Sequence, residues 1–236
     1  LRHTHWQDGY RTVSLIQTGI VVVLLLTLSL WKKDKGTEES MAALRLKDVL
    51  KIHGVSTLLI GFFCYCAAES TVMLWASSYL VHVRGVSEER AAAFASLFFI
   101  GITAGRFLAG FVSERLGDRN LIRLGTCIIA VGIVCVLLPL KTDFFALAGF
   151  VVIGFGCAPI YPSIIHATPS NFGEKNSQSI IGIQMASAYV GSTFMPPLFG
   201  LLAQYVDMRL LPIYLAVFFT AMIFLVEKTF RTVKEH

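Results

Sequence analysis

Long apolar runs separated by short polar breaks set the rhythm of this chain. A hydrocarbon core about 30 Å thick needs about 20 residues of helix. With that ruler the pattern predicts seven spans, near 13–31, 53–82, 91–112, 121–140, 144–166, 179–203 and 210–226. The second is too long for one straight crossing and is expected to tilt or to begin with an amphipathic turn at Lys51–Ser56. Only the break after the first span, Lys32–Lys51, is long, and it reads as a solvated connector of mixed charge.

The third and fourth spans meet in Gly101–Arg119, GITAGRFLAGFVSERLGDR. Gly101 and Gly105, four apart, clear one helix face for close approach by another backbone. Gly110-x-x-x-Glu114-Arg115-x-Gly117-x-Arg119 then reads as a tight, basic turn before the next apolar run at Leu121. The fold class is an all-α membrane protein.

Composition agrees: 55% of the 236 residues are hydrophobic and 15% charged, against about 25% charged in soluble domains. The formal charge of +5 needs no nucleic acid as partner, because membrane proteins concentrate Lys and Arg in cytoplasmic loops. If Lys32–Lys51 is cytoplasmic, 13 basic residues fall on that side and 6 on the other, with Arg106 inside a span. The N-terminus is then outside and the C-terminus inside. All five cysteines lie in apolar runs, where small-hydrophobe packing is the default. No phosphate loop, zinc spacing, HExxH, clustered carboxylates or nucleophile–base spacing appears; no enzyme, cofactor or metal is expected.

Polar residues inside the spans are the candidates for function. Glu69, in FFCYCAAESTVMLW, is the most costly: a charge at the bilayer centre costs at least about 2.5 kcal/mol, and such residues usually face a cavity. It is expected to bind a proton or hydrogen-bond a solute, the bland alternative being a neutral carboxyl bonded to a neighbouring helix. Tyr65 lies one turn before it and Trp75 less than two turns after. Arg106 reads as a structural ion-pair candidate with Glu114 or Asp118 or as a side chain snorkelling to the interface, the alternative being direct contact with substrate. In the fifth span, Gly154, Gly156, Pro159 and Pro162 should weaken the helix, and interrupted spans point to transport sites. Tyr161 there could bond a polar solute, while His166 reads as an interfacial histidine. In the sixth span Gly182–Ala186 and Ser187–Gly191 offer two small-residue faces, Pro196–Pro197 bend the outer end, and Gln184 and Tyr189 are its polar groups. Gln184 needs a partner at that depth, a helix-bridging or a solute bond.

The spacing of Gly110, Glu114, Arg115, Gly117 and Arg119 resembles the loop motif of the major facilitator superfamily. Glu114 stands where the family usually has aspartate, and Asn120 where it often has a second base. Family members have twelve spans in two six-span bundles joined by a long cytoplasmic connector. The resemblance implies that 1–31 is the last helix of a missing N-terminal bundle, 32–51 the connector and 52–236 the C-terminal six-helix transport bundle. It also implies that Glu114 approaches the start of the span at Ser179–Ile181, that the bases bridge the two bundles, and that breaking such contacts gates the pathway. GFGCAPIYPSIIHATP, SQSIIGIQMASAYVGS and PPLFG, with Glu69, Trp75 and Tyr79, resemble the branch of fucose, galactose and glucose:proton symporters. The implied activity is secondary active transport, by alternating access, of a sugar or other small polar solute with protons, in a bacterial cytoplasmic membrane. Glu69, Tyr65, Trp75, Tyr161, Gln184 and Tyr189 would line the path. Rival readings are a drug or metabolite exporter of the same fold, and a seven-span receptor or sensor.

Overall fold

The computed structural model describes residues 6–28, 46–138 and 143–234. The chain divides into two units, 1–42 and 43–236. The first contains α1, Trp6–Thr27, whose 22 residues reach about 33 Å. Its hydroxyls turn back onto the helix: Thr12, Thr18 and Thr27 each donate to the carbonyl four residues earlier. The run expected at 13–31 thus begins about two turns earlier, at Trp6; its last residues and most of the connector lie outside the described residues.

In the second unit α2, Leu46–Leu50, precedes α3, Val55–Arg84; then come α4, Glu88–Leu137, α5, Phe144–Cys157, α6, Ile160–Phe172, α7, Glu174–Tyr205, and α8, Leu211–Lys234. Among the described residues, five stretches are long and apolar enough to cross a membrane: 7–27, 55–84, 88–137, 144–172 and 208–233. The 50 residues of α4 are two crossings. They bend at Gly117, whose φ of 71° and ψ of 161° are non-helical and lie in a region that only glycine enters readily. The polar turn expected over Gly110–Arg119 is therefore one residue wide, and the motif before it is helical. α7, 32 residues long, keeps Pro196 and Pro197 inside the helix.

Close contacts give the direction of each crossing. Along α5, Gly101 meets Val151 and Gly105 meets Ala158, whereas Gly132 meets Gly149 and Gly125 meets Gly156. The first half of α4 thus runs parallel to α5 and the second half antiparallel. α7 runs parallel to α3, with Ser187 on Leu59 and Gly191 on Phe63. α8 runs back along α3, with Gly61 against Val226 and Thr57 bonded to Thr229 at 2.9 Å. One end of the bundle gathers Gly54, Phe172 and Val233. At the other end Arg84 donates to the carbonyls of Val136 and Leu138.

In lipid, burying an apolar side chain gains little over leaving it in contact with tails, so packing and interhelical hydrogen bonds hold helices together. The backbones here approach closely. A Cβ on Gly101 would stand 2.7 Å from the Val151 carbonyl oxygen, and one on Gly105 2.5 Å from the Ala158 Cβ. Gly154 and Gly156 belong to the same seam, where added Cβ atoms would meet the carbonyls of Phe98 and Gly125 at 2.5 and 2.7 Å. They are packing residues, not the helix weakeners expected from sequence. Ser187–Gly191 is a packed face; the Gly182–Ala186 face is not, since nothing lies within 4 Å of a Cβ built on Gly182.

Candidate functional site

Midway along α3, Tyr65 and Glu69 stand one turn apart, so their side chains meet on one face. The Tyr65 hydroxyl lies 2.8 Å from Glu69 Oε1 and 2.9 Å from the carbonyl oxygen of Cys157. Tyr65 is fully buried and Glu69 half-buried. The Tyr65 ring packs among Phe62, Tyr161 and Phe219, with centroids 6.5, 6.4 and 6.3 Å away. A carboxyl at bilayer depth is thereby held by one rigid aromatic donor and turned toward the protein interior.

Cys157 ends α5, and Ala158 and Pro159 separate it from α6. Both residues keep right-handed helical dihedrals, at φ −51°, ψ −49° and φ −80°, ψ −20°. The break is thus a loss of ladder bonds without unwinding: Pro159 and Pro162 cannot donate to the turn before them. Beside it a cavity of about 880 Å³ opens between α4 and α6, lined among others by Arg106, Glu114, Asp118, Tyr161 and His166. Tyr161 connects the two regions, with its hydroxyl 3.2 Å from the Met185 sulfur and its ring against Phe62 and Tyr65.

Glu69, Tyr65 and Tyr161 are brought together; the other residues named for the path are not. Trp75 donates its indole N–H to the Pro196 carbonyl at 2.9 Å and stacks edge-on against Phe199. Gln184 is buried, accepts from Thr168 at 3.1 Å, and has no partner for its amide nitrogen among the described residues. Tyr189 is 72% exposed on α7.

Several expectations for the loop motif need correction. Arg106 is exposed and forms no ion pair with Glu114 or Asp118; Asp118 takes His166 instead, at 2.8 Å. Arg106 is close enough to Glu69 to act on it electrostatically. Glu114 makes no hydrogen bond or ion pair among the described residues and lines the α4–α6 cavity, so the implied contact with the start of α7 is not made here. Arg115 is likewise exposed. Arg119 is not free to bridge to another bundle, because it is tied to α8: Arg119 and Arg123 both grip Glu227, each with a closest approach of 2.5 Å. Arg119 also stacks over Phe230 at 5.6 Å.

Glu227 was not among the residues singled out from sequence. A carboxylate inside FLVEKTF, in a chain with two unmatched arginines at 119 and 123, was the available signal. The Asp118–His166 pair, 48 residues apart, left no comparable mark.

Known proteins share this fold. The profile of the Major Facilitator Superfamily matches residues 58–235. The fold superposes on a crystal structure of the superfamily transporter FucP in the outward conformation, with a TM-score of 0.76 at 16% identity, over 93% of this chain and 54% of that one. The Escherichia coli fucose:proton symporter FucP aligns similarly, with a TM-score of 0.71 at 15% identity, over 93% of this chain and 55% of that one. An uncharacterized MFS-type transporter of Yersinia pestis is 26% identical over 155 residues, 62% of this chain and 38% of its own length. The membrane protein MosC of Rhizobium meliloti is 25% identical over 209 residues, 85% of this chain and 49% of its own. The chain thus spans about half the length of FucP and MosC, and less of the Yersinia protein. With the profile matching most of the sequence, and a fold of stacked apolar helices to go with it, this chain is an integral, multi-pass membrane protein that belongs to the Major Facilitator Superfamily.

Proposed function

We propose that this chain serves as the C-terminal half of a secondary transporter that moves a small polar solute, a sugar being the favoured class, together with protons. Residues 52–236 form its transport bundle, 32–51 the cytoplasmic connector and 1–31 the last helix of the N-terminal bundle. The C-terminus is cytoplasmic and the membrane a bacterial cytoplasmic membrane. The observation that carries the reading is the Glu69–Tyr65 pair. It is a titratable carboxyl at mid-helix, aimed at the α5–α6 break and neighbouring a large cavity whose wall includes Arg106, Glu114, Asp118 and His166. A carboxyl in that setting is kept for function more readily than for stability, since an apolar residue would pack there at no electrostatic cost.

Support for a sugar and a proton comes from the resemblance of the fifth and sixth spans to sugar:proton symporters, and from FucP, described as a fucose:proton symporter. Glu69 holds the proton and Tyr161 offers its hydroxyl to the solute from the cavity wall. Gly117 is the hinge on which the two crossings of α4 adjust as the bundles rock. Trp75, Gln184 and Tyr189 shape the path: Trp75 ties α3 to the Pro196 carbonyl of α7, Gln184 ties α7 to α6, and Tyr189 stands on the exposed side of α7.

The test uses the full-length protein in proteoliposomes. Glu69→Gln should abolish proton-driven accumulation while solute exchange without net proton movement continues. Accumulation at the unsubstituted level would overturn the reading. Addition of solute should alkalinise the external medium; acidification would assign an antiporter instead.

A further inference from the structure

The Tyr65 hydroxyl carries one proton, yet it lies within hydrogen-bond distance of two oxygens, Glu69 Oε1 at 2.8 Å and the Cys157 carbonyl at 2.9 Å. A carbonyl oxygen only accepts, and an ionised carboxylate only accepts. Both short contacts are fully satisfied when Glu69 is protonated and donates to Tyr65 while Tyr65 donates to Cys157. We infer that Tyr65 is a positioning residue that relays the protonation state of Glu69 to the joint between α5 and α6. The inference rests on Glu69 being the proton site.

The relay follows from counting protons. When Glu69 loses its proton to water, the Tyr65 proton stays on Tyr65 but changes acceptor, because a bond to a carboxylate is about twice as strong as one to a neutral oxygen. The Cys157 carbonyl is then released. It sits immediately before Ala158 and Pro159, where two prolines within four residues have already removed ladder donors. A carbonyl freed there loosens the point at which the helix has least reserve; reprotonation closes it again. The titratable and charged groups around Glu69 are Tyr65 and Cys66 on its own helix, Arg106 on α4, Cys157 on α5 and Tyr161 on α6. Tyr189 on α7 reaches only Tyr161, and α8 presents the ring of Phe219 to Tyr65.

Infrared difference spectroscopy across a pH step, on the full-length protein in proteoliposomes, reads both ends of the relay. The unsubstituted protein should lose a protonated-carboxyl stretch on raising pH, together with a change in an amide carbonyl band that moves when cysteine carries a 13C carbonyl. Glu69→Gln should lack both. Tyr65→Phe keeps the packed ring and should retain the carboxyl band, shifted to higher frequency, but lose the cysteine carbonyl change. Its proton-driven accumulation should fall about tenfold, as expected for one lost hydrogen bond. Incorporating meta-fluorotyrosine at position 65, which restores a hydroxyl, should bring back the carbonyl change. A carboxyl band and a cysteine carbonyl change both unaltered by Tyr65→Phe would overturn the relay alone. A carboxyl band that survives Glu69→Gln would overturn the assignment of Glu69 as well.

Discussion

Glu227 holds two guanidinium groups with one carboxylate, and its side chain is 18% exposed against 28% for Arg119 and 48% for Arg123. Removing the shared carboxylate leaves two neighbouring guanidinium groups that repel each other, with water at their exposed edges compensating part of the loss. Glu227→Gln should therefore lower stability by roughly 1 kcal/mol, the upper end for partly exposed ion pairs. Arg115→Gln, at a neighbouring exposed position, should change it little. Denaturant unfolding of the purified protein in detergent checks both, and equal effects would remove the clamp from the account. The same contrast shows what single residues disclose in sequence. The cost of Glu69 and Gln184 at depth is legible, because a polar group in an apolar run needs a partner. The identity of the partner is not: Thr168 for Gln184, Pro196 for Trp75 and His166 for Asp118 depend on which helices become neighbours.

At the level of whole helices, the glycines divide into those that serve the backbone, those that serve packing and those that serve neither. Gly117 has positive φ, and an alanine there should cost about 1–3 kcal/mol of strain. Gly110, one helical stretch earlier, meets nothing within 4 Å, so Gly110→Ala should be neutral or stabilising by up to about 1 kcal/mol, as for a glycine replaced within a helix. Gly105→Leu should cost about 1–3 kcal/mol or more through overpacking, because even a Cβ would meet Ala158 and the Phe155 carbonyl at 2.5 and 2.8 Å. Melting temperatures of the three variants in one detergent should place Gly110→Ala above both Gly117→Ala and Gly105→Leu. A Gly117→Ala protein as stable as Gly110→Ala would contradict the hinge. Spans were readable because length and hydropathy are local properties. The motif looked like a loop because its charges resemble one, whereas the reversal needs only the single residue that can adopt a non-helical φ and ψ. The glycines of the fifth span looked like helix breakers because the neighbours that require them, Phe98 and Gly125, lie far away in sequence.

Across the whole bundle, six helical passes starting at Gly54 (α3, the two halves of α4, α5 with α6, α7 and α8) must return the chain to the face where they began, and Val233 does lie against Gly54. That face also carries Lys51, Lys175, Lys228 and Arg231, whereas the opposite end has Arg84, Arg90 and Arg209. Arg84 is further occupied there by the carbonyls that end α4. Basic residues near span ends are retained on the cytoplasmic side during insertion, so the Gly54 face should be cytoplasmic and the Arg209 turn external. Cysteine substitution at two exposed positions separates the alternatives in intact cells. Arg209→Cys should react with a membrane-impermeant maleimide added outside, and Lys228→Cys should react only after the cells are opened. The native cysteines Cys64, Cys66 and Cys157 are buried, Cys135 is partly buried and Cys127 is exposed, so the labelling needs a background with Cys127 and Cys135 replaced by serine. The reverse pattern would invert the bundle, place the α4–α6 cavity on the external side and turn the proton step at Glu69 toward the opposite compartment.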